Sequence, residues 1–86
     1  MHIPVTSPEA IGQAVRQVRK RQGIRQEDLA AMVEASHVFL RDVEHGKPTV
    51  QLGRVLRVLE ELGIRLYLDV PDDEVDAAPN VTESRT

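Results

Sequence analysis

Residues 64–70, Ile-Arg-Leu-Tyr-Leu-Asp-Val, alternate strictly between apolar and polar side chains. That is the period of a β-strand with one apolar face, and no other stretch of the chain shows it convincingly. A single strand leaves a row of backbone donors and acceptors without partners. The simplest remedy is the same strand from a second copy, paired antiparallel about a two-fold axis. The sequence therefore predicts a homodimer, with Ile64, Leu66, Leu68 and Val70 on the apolar face of the shared strand pair. The alternative partner is the N-terminal arm, His-Ile-Pro-Val, which Pro4 weakens because proline donates no ladder hydrogen bond.

Everything before that strand reads as helix. Thr6 or Ser7 can cap a first helix from about Pro8 to Gln22, with Ile11, Val15 and Val18 as a buried stripe. Gly23 suits the end of it. A second helix covers about Gln26 to Val33, with Leu29, Ala30 and Val33 inward. Ser36 is a good cap for a third, reaching His45 before Gly46, with Leu40 and Val43 as its inward pair. Thr49 can cap a fourth from about Val50 to Leu62. Its apolar face reads as Leu52, Val55, Leu56, Leu59 and Leu62, and Gly63 closes it. The chain then divides into an arm (1–6), a helical domain (7–63), the strand (64–70) and an acidic tail (71–86) expected to be disordered.

With 86 residues there is room for one domain, which buries only about 60% of its extended-chain surface. There is no cysteine to supply disulfides or thiolate metal sites, so a thin core makes association attractive. The net charge of −3 hides a split: residues 1–68 hold ten Lys/Arg against eight Asp/Glu, and residues 69–86 hold one against six. The body is mildly basic and the tail acidic. No apolar run is long enough to span a membrane and no signal peptide is visible, so a cytoplasmic location is expected.

Two helices joined by a tight turn, carried on other helices, can place the second one in the major groove of DNA. Such a helix need present only three or four side chains, provided its back is anchored. Leu40 and Val43 would anchor it, leaving His37, Val38, Phe39 and Arg41 outward. Arginine is the commonest reader of guanine in that groove. For Phe39 a core position is not expected, because Leu40 and Val43 already define the inner face. It would touch a thymine methyl or sugar edge, or a protein partner. His37 would be either a base reader or a solvated surface histidine.

The run Arg-Gln-Glu-Asp-Leu-Ala-Ala-Met-Val-Glu-Ala-Ser-His-Val-Phe-Leu-Arg-Asp-Val-Glu-His-Gly-Lys-Pro-Thr, residues 25–49, resembles the Cro/repressor (XRE) type of helix-turn-helix. The family pattern falls on Gln26, Leu29, Ala30, Ser36, Glu44, Gly46 and Lys47. The fourth helix and the following strand are most similar to HipB-type antitoxins, in which a C-terminal strand pairs across the dimer. The resemblance implies a mainly α, lambda-repressor-like domain of four to five helices plus that strand. It implies DNA contacts from Arg25, Gln26, Ser36, His37, Val38, Phe39, Arg41 and Lys47. It also implies an Arg19–Glu44 ion pair locking the third helix to the first. Two departures stand out. Glu34 replaces the usual turn glycine, and Arg25 replaces the usual capping Ser or Thr, offering a phosphate-seeking cation instead.

The function implied is a sequence-specific transcriptional repressor, the antitoxin and autorepressor of a HipBA-type pair. Its partners would be operator DNA, a second copy and a HipA-like serine/threonine kinase toxin. The alternatives are a stand-alone XRE regulator and a protein-interaction module without DNA binding. No enzyme activity, cofactor or metal is expected. The three histidines are scattered, and adjacent Glu60 and Glu61 point about 100° apart on a helix.

Overall fold

The computed structural model describes residues 1–72. It contains four helices: α1 (Pro8–Arg21), α2 (Gln26–Met32), α3 (His37–Glu44) and α4 (Leu52–Leu62). Helices α2 and α3 form the helix-turn-helix; α1 packs on α3 and on α4. Local chemistry accounts for most boundaries. The Ser7 hydroxyl accepts from the Ala10 amide at 3.3 Å, and Pro8 fills the first turn, where an amide would be orphaned anyway. The Ser36 hydroxyl accepts from the Phe39 amide at 3.0 Å and starts α3.

All four helices stop in the same way. The amide just after a left-handed residue reaches back to the carbonyl five residues earlier: Ile24 to Arg19, Ala35 to Ala30, Lys47 to Asp42 and Ile64 to Leu59, at 2.8–3.1 Å. This closure requires a left-handed residue. Gly23, Gly46 and Gly63 supply it at φ 71°, 79° and 77°, while α2 uses Glu34 at φ 57°. A side chain in that conformation costs about 1–2 kcal/mol.

The core gathers Val15 from α1, Leu29, Ala30 and Val33 from α2 and its turn, Leu40 and Val43 from α3, and Val55, Val58, Leu59 and Leu62 from α4. Ile11, Val18, Ile24, Ala35, Phe39, Val50 and Ile64 pack around it. Gly12 sits where α1 crosses α3, and a Cβ there would lie 2.4 Å from the Val43 carbonyl oxygen. Nothing larger than glycine fits that crossing.

Three expectations are corrected. Helix α4 begins at Leu52 with Gln51 as cap, not at Val50 with Thr49, because Val50 is drawn against the core and the chain turns through residues 48–50 first. Its inward face is Val55, Val58, Leu59 and Leu62. Leu52 (64% exposed) and Leu56 (43%) stand outward instead. Phe39 is half-buried against the core, although a core position was not expected for it.

The strand expected over 64–70 does not form within one chain; after Gly63 the segment carries no regular secondary structure. Ile64 packs on the core, while Leu66, Tyr67, Leu68 and Val70 are exposed, Leu68 most of all at 86%. The arm meets the segment at His2 and Tyr67, whose rings lie 5.6 Å apart. No backbone hydrogen bond joins arm and segment among the described residues. The expected tail, from residue 73 onward, lies outside the described residues.

Candidate nucleic-acid interface

Helix α3 is eight residues long, too short to hold its shape in isolation. What holds it is its back. Leu40 is fully buried and Val43 nearly so, and beside them Arg19 and Glu44 are buried as a pair. The Arg19 Nε donates to Glu44 Oε2 at 2.6 Å and its Nη2 to Oε1 at 3.1 Å, a two-pronged pairing of guanidinium and carboxylate. The remaining Nη1 donates to the Ile24 carbonyl at 2.9 Å, so the same side chain also fixes the α1–α2 connection. Neither charge is left unpaired in the interior.

Gln26, the first residue of α2, extends this pairing to the surface. Its Nε2 donates to Glu44 Oε1 at 3.0 Å. That turns its amide oxygen toward His37, whose Nε2 lies 2.6 Å away and donates to it. A continuous chain of hydrogen bonds therefore runs from Arg19 through Glu44 and Gln26 to the first residue of α3. Both helices of the motif are tied to one buried carboxylate.

The front of α3 is open. Ser36, His37, Val38 and Arg41 are exposed, with Asp42 half-buried at the edge. Arg41 makes no ion pair among the described residues. Lys47 reaches Asp42 at 3.5 Å with more than half of its side chain exposed. Of the expected positions, His37, Val38 and Arg41 share the exposed side of α3, while Phe39 is turned half inward.

Arg25 departs in another way. It caps α2 without a side-chain cap bond and instead donates through Nε to Asp28 at 3.0 Å, with Glu27 3.8 Å from its Nη1. The Asp28 hydrogen bond, then the Asp28 and Glu27 charges, raise its already high pKa. A phosphate would have to compete with those carboxylates for this cation.

Two structural residues escaped sequence reasoning. Gly12 had a visible signal, a glycine inside a helical pattern, which costs about 1 kcal/mol against alanine unless packing demands it. Gln22, whose Nε2 donates to the Leu62 carbonyl at 2.9 Å, ties α1 to the end of α4 and had none. Among the described residues no cluster of His, Asp and Glu could hold a metal, and no helix is long and apolar enough to cross a membrane.

Comparison with known proteins agrees with this fold. The chain is 42% identical over 69 residues, 80% of its own length and 91% of the relative's, to a protein of Sinorhizobium fredii described as an uncharacterized HTH-type transcriptional regulator, y4mF. Its fold matches a chain in the structure described as the HipA–HipB–O2–O3 complex, with a TM-score of 0.73 at 20% identity over 80% of this chain and 97% of the other. A chain of a HipB–O4 20mer complex matches with a TM-score of 0.72, at the same identity and coverage. At that identity the likeness is one of fold. Residues 15–68 match the helix-turn-helix family model, and on that match together with its transcriptional-regulator relative the chain belongs to the XRE-type helix-turn-helix family.

Proposed function

We propose that this protein is a homodimeric, sequence-specific DNA-binding repressor that sets one α3 into each of two adjacent major grooves. The observation that carries the reading is the two-sidedness of α3. Its back is fixed by Leu40, Val43 and the Arg19–Glu44 pair, while Ser36, His37, Val38 and Arg41 are exposed to solvent, His37 being held at its Nε2 by Gln26. Arg41 reads a base edge, Gln26 and His37 work as one hydrogen-bonded unit, and Ser36 and Lys47 hold phosphates. Two half-sites would lie about one helical turn, roughly 34 Å, apart. The dimer is joined through residues 64–70, whose exposed apolar side chains call for a second copy.

Within that reading, the role is that of an antitoxin and autorepressor of HipB type, acting in the cytoplasm and restraining a HipA-like serine/threonine kinase. The HipB chains of similar fold favour it. A second reading, a stand-alone regulator without a toxin, is consistent with the relative described as an uncharacterized HTH-type transcriptional regulator, whose name mentions no toxin. Co-purification with the product of the neighbouring gene separates the two: a kinase that travels with this chain supports the first.

The test of DNA reading itself is Arg41→Ala in a mobility-shift titration. Operator affinity should fall by about 1–3 kcal/mol, with one base preference relaxed. Unchanged affinity and specificity would reject α3 as the reader. Binding should also weaken steeply with salt, because phosphate contacts release counterions. A flat salt response would point instead to a protein-interaction module.

A further inference from the structure

The segment after α4 has a symmetry that fixes how two copies meet. Counting outward from Tyr67, Leu66 balances Leu68, Arg65 balances Asp69 and Ile64 balances Val70; beyond these stand Gly63 and Pro71. In an antiparallel pair, directly opposite residues share a face. A one-residue shift would set the apolar row against the polar row. A two-residue shift would lose pairs at both ends, where Pro71 donates no hydrogen bond and Gly63 is committed to closing α4. Only the register centred on Tyr67 pairs all seven residues. It also sets Arg65 of each copy against Asp69 of the other, which makes the charge self-complementary.

A second feature meets the same register. A groove of about 400 Å³ lies between α4 and the start of the segment; Gly53, Leu56, Leu59, Ile64 and Leu66 form its apolar lining, and charged side chains of α4 and the segment also border it. Leu56 and Leu66 remain 43% and 46% exposed. A Cβ on Gly53 would meet nothing within 4 Å, so the single chain has no need of glycine there. Leu68 is 86% exposed and does not fill its own groove.

We propose that the groove beside Gly53 receives Leu68 of a second copy, delivered by an antiparallel strand pair centred on Tyr67 and locked by two reciprocal Arg65–Asp69 ion pairs. The inference rests on the dimer proposed above and specifies its register and its apolar anchor. Leu66 lines the groove, and in this register the partner's Leu68 stands directly opposite Leu66, with Cβ atoms about 4.5–5.5 Å apart. The incoming leucine therefore arrives beside the Leu66 wall of the groove.

Sedimentation equilibrium on the full chain, with circular dichroism to confirm that the helices persist, tests it. Arg65→Asp and Asp69→Arg should each weaken the dimer about tenfold, since each sets like charges opposite in two places. The double variant, Arg65→Asp with Asp69→Arg, should return to near wild-type affinity. An equimolar mixture of the two single variants should form heterodimers. Leu68→Ala should weaken association about a hundredfold, because two leucines leave apolar contacts. A wild-type chain that stays monomeric would overturn the dimer and this register together. A wild-type dimer indifferent to the single reversals, or as weak in the double variant as in the singles, would overturn the register and leave the dimer standing.

Discussion

Helix α3 and the segment 64–70 are nearly equal in length, and neither could hold a shape alone. Their treatment by the rest of the molecule differs completely. Helix α3 has a serine cap, a closed C-terminal turn, two buried aliphatic anchors and a buried ion pair behind it. Among the described residues the segment has one residue packed on the core, Ile64, and no backbone hydrogen bonds of its own beyond the one that closes α4. One side of α3 is finished within the chain and the other is left open. For the segment, almost everything is left open. The difference separates what a single copy completes by itself from what it leaves open: a firmly mounted helix, and an exposed segment that the proposed dimer would use.

The most direct way to break this contrast is to remove the mount. Glu44→Ala strands Arg19 in the interior and deprives Gln26 of its acceptor, so urea unfolding should show a loss of about 3–5 kcal/mol. If the loss stays under about 1 kcal/mol, the pair does not fasten α3. Gly12→Ala forces α1 away from the Val43 and Glu44 carbonyls and should cost about 3 kcal/mol in the same measurement, because both neighbours are backbone and cannot rotate aside. By contrast, the Leu68→Ala variant described above should leave the helices of the single copy folded. A collapse of the helical signal there would erase the distinction between the two regions.

The smallest effect sharpens the picture of the turn between α2 and α3. Glu34→Gly relieves a left-handed side chain but adds the chain entropy of glycine, for a net gain of up to about 1 kcal/mol. The contact it removes, Arg57 at 3.8 Å, joins two exposed side chains and offsets little. A thermal midpoint that rises confirms the strain, and one that falls shows that Glu34 is held by more than Arg57.

What the sequence made legible was local. Ser7, Ser36, the three helix-ending glycines and the inward pair Leu40 and Val43 each act within a few residues, and each can be read without knowing the rest of the fold. The start of α4 was misread because Val50 answers to a distant core rather than to Thr49 beside it. The face of α4 was misread for a related reason. Its leucines outnumber the positions facing inward, and only tertiary packing selects Val58 over Leu52 and Leu56. Phe39 was judged by its neighbours in sequence and placed by its neighbours in space. In the candidate site, the open positions His37, Val38 and Arg41 could be named in advance. The Gln26 bridge from Glu44 to His37 could not, since it depends on side-chain distances that spacing alone does not supply.

The crossing at Gly12 has a mechanical consequence. With no side chain between them, the backbones of α1 and α3 rest directly on each other, so there is no compressible layer to absorb a tilt or slide of α3. A duplex pressing on α3 pushes on the whole bundle at once. The protein therefore offers its target a stiff template, and whatever accommodation an imperfect site demands must come from swinging side chains or from bending of the duplex.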